Sequence, residues 1–379
     1  MHWSSAFAHR FDLDACCVYL PRCIGSPGVA AFEGVASGSA YANEYVADAA
    51  LSEYIERRHF RHRVRDTGRR LLADMDSLEW VLQGCYQQVR RSSAITIPDA
   101  LPGCSVLRWR DWEPVHIPRN LIGLGAGETD GEFELHPWRD SAGMACHRSD
   151  LKAMEAAALE FVERQTALAW WLGGGSVRRI DPETVAQFAP RSPSGTRWEA
   201  LILDAGLGAF TVLAAGECRE GGFSATATRL SPLDSLRKAL QEADHFRVFL
   251  GEKQRAVADG RGGNRYERAA VASGSHGMPD RVRFALVSAP VLDATALRCI
   301  PAQTLAEVRD RIHAVSAHVY VYLAHEASVL GQHSLARVVS PDFYLHGDPG
   351  VNLNFANAFA CRLGIGAPLE CRRTSTCFP

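Results

Sequence analysis

The chain has 379 residues, 47% of them apolar, enough to bury a substantial core as one large domain or two intimate ones. Its 41 basic and 43 acidic residues leave a net charge of −2, which argues against nonspecific binding to nucleic acid or to an anionic membrane as the main task. Arg10, Asp12 and Asp14 interrupt any signal-peptide core, and the longest apolar stretch, Ala200 to Gly216, is too short to span a bilayer, so the expected compartment is the cytoplasm. The eleven cysteines include adjacent Cys16 and Cys17 but no Cys-x-x-Cys and no zinc-spaced Cys/His cluster, and they read as buried small hydrophobes or reduced thiols.

The spacing of Val46, Ala50, Leu51, Tyr54 and Ile55 predicts a helix over about 45–65, and a second helical run is expected over about 66–92. Residues 103–125 read as strands broken at Pro114 and Pro118. A helix capped by Asp150 runs through Trp170 and Trp171, a pair expected to pack a core, and stops at Gly173-Gly174-Gly175. Pro190 to Gly195 is a turn or linker, and Leu201 to Leu203 and Phe210 to Leu213 flank Gly206 and Gly208 as a predicted hairpin. A helix over about 232–250 follows, then a Gly/Ser/Arg-rich surface loop from Ala258 to Asp280. The rest reads as a strand near Val282–Val287, a helix over about 303–315, and strands at His318–Tyr322 and Ala336–Val339. The fold class is therefore α+β (mixed α/β).

Two of these helices carry one signature, Glu-x-x-Glu-Arg, at Glu53, Glu56 and Arg57 and at Glu160, Glu163 and Arg164. Residues i, i+3 and i+4 share a helix face, so each helix aims two carboxylates and a guanidinium one way. Paired carboxylates repel unless a cation relieves them, and magnesium is the natural one. A single copy is ordinarily a solvated face. Here each copy follows a small-residue stretch, Ala36 to Ala40 with Ser37 and Ser141 to Ala145, of the kind whose amides can receive phosphate. Walker A, kinase and dinucleotide glycine motifs are all missing. His59 and His62, set among Arg58, Arg61 and Arg63, read as a solvated basic face, and Cys146 as a small buried residue.

A third helical segment, Ala239-Leu240-Gln241-Glu242-Ala243-Asp244-His245-Phe246-Arg247, completes a set of three. In this order the segments resemble the nucleotide-binding motifs of the YcaO family. The runs Glu53 to Phe60 and Val339 to His346, with the Phe378-Pro379 terminus, further resemble the cyclodehydratase subunit of microcin-type thiazole/oxazole synthetases, collinearly from about residue 34 to 379.

The resemblance implies a YcaO-type fold, with internally related helix/sheet halves around an ATP cleft. It implies a single domain over 1–379, in which two lobes would meet near 176–198. It implies that Glu53, Glu56, Glu160 and Glu163 hold Mg2+ on ATP, with Ser37, Arg57, Ser141, Arg164, Glu242, His245 and Arg247 around the nucleotide and the Pro379 carboxylate as a catalytic base. It further implies a ribosomal precursor peptide as substrate, and as companions a leader-binding partner protein and a flavin-dependent dehydrogenase subunit. Two positions depart from the family: Ala142 stands where Asn is usual and His245 where Gln is usual. The terminus keeps only the last proline of a P-x-P-x-P tail. The expected activity is ATP-dependent conversion of Cys, Ser or Thr to azolines. Family members that install a thioamide or an amidine, and a nucleotide-binding scaffold that does not catalyse, are the alternatives.

Overall fold

A computed structural model describes residues 2–3, 16–19, 27–32, 36–41, 46–71, 74–76, 100–124, 141–190, 196–218, 221–258, 278–328, 331–345 and 354–366. Helices and mostly antiparallel sheets are mixed throughout, as the α+β reading expects. The first sheet is an antiparallel meander of β1 (His2–Trp3), β2 (Cys16–Tyr19), β3 (Pro27–Phe32) and β4 (Ala36–Tyr41). The expected small-residue loop before the first motif is thus a strand, with Ser37 paired to Ala31.

Helix α1 (Val46–His62) carries the first motif. The helix expected after it gives way to β5 (Arg69–Leu71), which pairs with β6 (Ala100–Arg108); residues 77–99 of that reading lie outside the described residues. β6 and β7 (Pro114–Pro118) form a hairpin, and the two prolines bound the second strand as anticipated. β8 (Met144–His147) leads into α2 (Asp150–Leu172), the helix of the second motif. Its N-cap is Ser149, not Asp150: the Ser149 hydroxyl accepts from the Lys152 amide, while Asp150 sits in the first turn, where its charge favours the helix dipole. Gly173 closes the helix at φ 104°, the left-handed cap that glycine adopts without strain.

β9 (Ser176–Ile180) and α3 (Pro182–Phe188) precede the meander of β10 (Arg197–Asp204), β11 (Phe210–Cys218) and β12 (Gly221–Arg229). The predicted hairpin is present, with Leu203 opposite Thr211. The third motif lies on α4 (Pro232–Ala258), and most of the segment read as a surface loop after it, 259–277, is outside the described residues, as is 191–195. Residues 282–287, read as a strand, belong instead to helix α5 (Asp280–Ser288). Val282, Ala285 and Leu286 are its buried side, at i, i+3 and i+4, while Phe284 and Val287 face outward, which only a helical period satisfies. β13 (Val291–Leu292), α6 (Ala294–Cys299), α7 (Leu305–His313), β14 (Tyr320–Ser328), β15 (Gly331–Val339) and α8 (Ala358–Arg362) complete the chain.

The strands form two larger sheets, one of five ordered β12-β11-β10-β9-β13 and one of six ordered β5-β6-β14-β15-β8, with β7 pairing β6 off that path. Period-two alternation divides the five-stranded sheet: Ala200, Ile202, Val212 and Ala214 pack on Leu236, Ala239, Leu240 and Ala243 of α4. Leu201, Leu203 and Leu213 face Trp170 at the end of α2 and Val282 and Leu286 of α5. Each leucine so buried contributes about 1.5–3 kcal/mol. The six-stranded sheet has α1 on one face through Tyr54, Ile55 and Phe60, and α2 on the other through Ala157, Phe161 and Leu168. Helix α2 therefore lies at the centre and touches both sheets, and α1 and α4 each meet the N-terminal sheet. The charged faces of all three motif helices are directed to one region.

Candidate active site

In α1, Glu53 is paired with Arg57 at 3.7 Å and Glu56 with the same guanidinium at 4.0 Å. In α2, Arg164 lies 3.9 Å from Glu160. The Glu53–Arg57 and Glu160–Arg164 pairs are at i, i+4 and follow from helix geometry. The packing adds interactions between helices. The Glu56 carboxyl is pushed up to about 7 by burial and by Glu53, against the pull of Arg57 and Arg337. Burial pushes Glu160 up to about 8, with Glu56 and Glu163 adding to the rise while Arg164 and Arg57 oppose it. Glu53 and Glu163 are also raised, first by burial, and both feel the charge of Glu242 on α4. Four glutamates from two helices thus lie within reach of one another's charge, Glu56 buried and Glu53 and Glu160 still partly exposed.

Glu163 is the most firmly placed of the four. The Thr226 hydroxyl donates to its Oε1 and the Thr228 amide to its Oε2, both at 2.9 Å. One donor is a side chain and the other a backbone amide, the Thr228 hydroxyl being paired instead with that of Thr211 at 2.7 Å. Threonines 226 and 228 were not anticipated, since their role depends on a strand register absent from the local pattern. Arg337 was also missed: buried on β15, it donates to the Ile122 carbonyl at 2.7 Å and lies in the field of Glu56.

On α4, Glu242 takes Lys238 at 2.5 Å and faces His245 at 3.8 Å. Burial raises its carboxyl, but the nearby His245 and Lys238 outweigh this and hold it down at about 2. His245 Nε2 is buried and has no hydrogen-bond partner among the described residues. Arg247 joins Asp244 at 2.7 Å, so its charge is engaged within its own helix.

Ser141 opens the turn into β8, its carbonyl accepting from Met144, and Gly143 at φ 70° lies so close to β15 that a Cβ would run into the Val338 carbonyl. The small-residue stretch here is a tight turn into a strand rather than a loop at a helix N-terminus. Ser37 lies in β4, and Pro379 is outside the described residues. His62 is exposed as expected, but His59 is not part of a solvated basic face: it is 4% exposed and joined to Glu326 and Tyr322. Burial pushes the partly buried Cys146 thiol up to about 12, which leaves it protonated.

The family described as YcaO cyclodehydratase, ATP- and Mg2+-binding, matches residues 37–344. The chain belongs to the YcaO family. Among YcaO relatives, the microcin B17-processing protein McbD of Escherichia coli is 23% identical over 330 residues, 81% of this chain and 82% of McbD. In the E. coli microcin synthetase McbBCD complex, one chain superposes with a TM-score of 0.80 at 20% identity, covering 97% of both chains. The Methanopyrus kandleri YcaO bound with AMPPCP and Mg2+ matches at 0.56 and 15% identity, over 87% of this chain and 86% of that one.

The glutamate cluster suits this family's cation. Hard carboxylate oxygens, desolvated and raised in proton affinity by one another, are stabilised by a divalent ion. Among the described residues no group of three or more Asp, Glu, His or Cys side chains is drawn together closely enough to hold a metal ion by itself. In the described part of the protein, no helix is long and apolar enough to cross a membrane.

Proposed function

We propose that this YcaO protein is an ATP-dependent cyclodehydratase that converts Cys, Ser or Thr of a ribosomal precursor peptide to thiazoline or oxazoline. The observation that carries the site assignment is the convergence of two motif helices: Glu56 and Arg57 of α1 act on Glu160 of α2, and β12 holds Glu163 of the same α2 face through Thr226 and Thr228. Likeness to McbD and to a chain of the McbBCD complex, solved also with pro-MccB17 bound, supports a peptide substrate and a multisubunit assembly; in this reading the assembly is cytoplasmic and includes a leader-binding protein and a flavin-dependent dehydrogenase.

In this reading the substrate thiol or hydroxyl adds to the preceding backbone carbonyl, the resulting hemiorthoamide oxygen takes the γ-phosphoryl group of ATP with release of ADP, and it departs as phosphate as the amide nitrogen loses its proton and the C=N bond forms. Bound Mg2+ would supply charge neutralisation to the triphosphate. Glu53, Glu56, Glu160 and Glu163 would hold it, and Arg57 and Arg164 would orient those carboxylates and offset the charge they concentrate. Ser37 and Ser141 flank the phosphates, Glu242, His245 and Arg247 bound the nucleotide, and the Pro379 carboxylate moves protons during addition and elimination. The chain acts as one catalytic domain whose two lobes meet near 176–198.

The test is the intact mass of a precursor peptide incubated with this protein, its partner subunits and Mg-ATP. Loss of one water per ring, abolished in Glu56→Gln, Glu163→Gln and a chain lacking Pro379, supports the proposal. The pairing of Arg247 with Asp244 and of Glu242 with Lys238 commits third-motif charges internally, as a nucleotide-binding scaffold would tolerate. A scaffold would bind nucleotide without any change in peptide mass.

A further inference from the structure

One turn beyond Glu56 on α1, His59 is buried with both ring nitrogens engaged. Nδ1 lies 2.8 Å from Glu326 Oε1 and Nε2 lies 2.9 Å from the Tyr322 hydroxyl. A carboxylate only accepts, so Nδ1 donates to Glu326, and a neutral ring then accepts the Tyr322 proton at Nε2. Arg63, a further turn along, pairs with the other Glu326 oxygen. Phe60 and Tyr322 pack around the imidazole at centroid distances of 5.3 and 5.8 Å. Both partners belong to the β14–β15 hairpin, which lies outside all three motif segments.

The lock is next to the glutamates. Cys146 on β8 lies in the fields of both Glu56 and Glu326, and Arg337 of the same hairpin faces Glu56. Apolar contacts such as those of Tyr54 and Ile55 resist separation of a helix from a sheet but are non-directional. Two directional bonds from one rigid ring fix the helix in rotation as well. Because side chains at i and i+3 share a face, the rotation fixed at His59 is the rotation of Glu56.

We infer that His59 is a positioning residue for the Glu53/Glu56 pair, holding α1 through Tyr322 and Glu326 so that the two carboxylates are presented to the cleft in one orientation. That the pair binds magnesium with nucleotide rests on the function proposed above. His59 itself touches no reacting group; it acts as an outer support for metal-holding side chains, a class of residue whose loss costs about 10- to 100-fold in metal affinity.

The experiment is calorimetric titration of the full chain with AMPPCP at a series of Mg2+ concentrations, for the wild type, His59→Leu, Tyr322→Phe and Glu326→Gln, with Tm measured in parallel. His59→Leu is expected to raise the Mg2+ concentration for half-maximal AMPPCP binding by about tenfold. Tyr322→Phe, which keeps the ring and its packing, shifts it in the same direction by less, so the test survives if His59→Leu fails to fold. A purely structural His59 lowers Tm and leaves the Mg2+ dependence where it is in the wild type; that result in Tyr322→Phe and Glu326→Gln overturns the inference. A wild type whose AMPPCP binding ignores Mg2+ removes both the metal assignment and this inference, whereas binding that depends on Mg2+ without any peptide mass change defeats the cyclodehydratase reading alone.

Discussion

Glu163 in α2 is gripped by both oxygens on β12, whereas Glu56 in α1 faces the guanidinium groups of Arg57 and Arg337. The two helices carry the same Glu-x-x-Glu-Arg signature. A carboxylate oriented by neutral donors keeps its direction when a cation arrives, while one balanced by guanidinium groups gains a competitor for them. A motif shared by two helices therefore specifies which charges are present, and the neighbouring sheet decides how each is used.

The largest expected effect comes from removing the charge itself. Glu163→Gln and Glu56→Gln should each lower ATP-dependent ring formation by about 10²–10³-fold, read as initial rates of mass loss in the peptide. Equal losses would show the two environments to be equivalent for catalysis. Next is Gly143→Ala, which forces a Cβ toward the Val338 carbonyl at a positive φ just before β8 and should destabilise the protein by about 2–3 kcal/mol in urea unfolding. Thr226→Val removes one donor to a charged acceptor and should weaken Mg-AMPPCP binding by about tenfold, sharpening the contrast if Glu163 depends on β12 as described.

The gentlest test is pH. Glu160 and Glu56 have folded-state proton affinities above the ordinary glutamate value of 4.5, so the native state holds protons that the unfolded chain has released. The stability of the nucleotide-free protein should accordingly fall as pH rises from about 4.5 to about 8 and level off above that. Saturating Mg-AMPPCP should flatten this dependence, as followed by Tm against pH. A Tm that climbs over the same interval in the nucleotide-free protein would contradict the shared negative pocket.

The motif helices were legible because their evidence is local: a 3.6-residue period, a glycine stop at Gly173, and carboxylates at i and i+3. The hairpin around Gly206 and Gly208 was legible for the same reason. Short apolar runs were not. Val282 to Val287 fits a strand by composition, and only the exposure of Phe284 and Val287 shows that its apolar residues follow a helical period. At 36–41, small residues that suggested a phosphate loop pair as a strand. Within the site, what was invisible depended on distant partners. His59 sits among arginines in sequence but beside Tyr322 and Glu326 in space, and Arg337 and Thr228 meet the glutamates only through strand registers set elsewhere.

β12 is an edge strand of the five-stranded sheet, and the outward amide of Thr228 ends on Glu163. An open edge is a template for another chain, and proteins commonly blunt it with a charge. By occupying that amide, Glu163 takes up one of the groups through which a further strand would pair with β12. Its replacement by alanine would expose a strand edge at the moment the site is emptied, so a precipitating variant would betray lost protection against self-association rather than lost core packing.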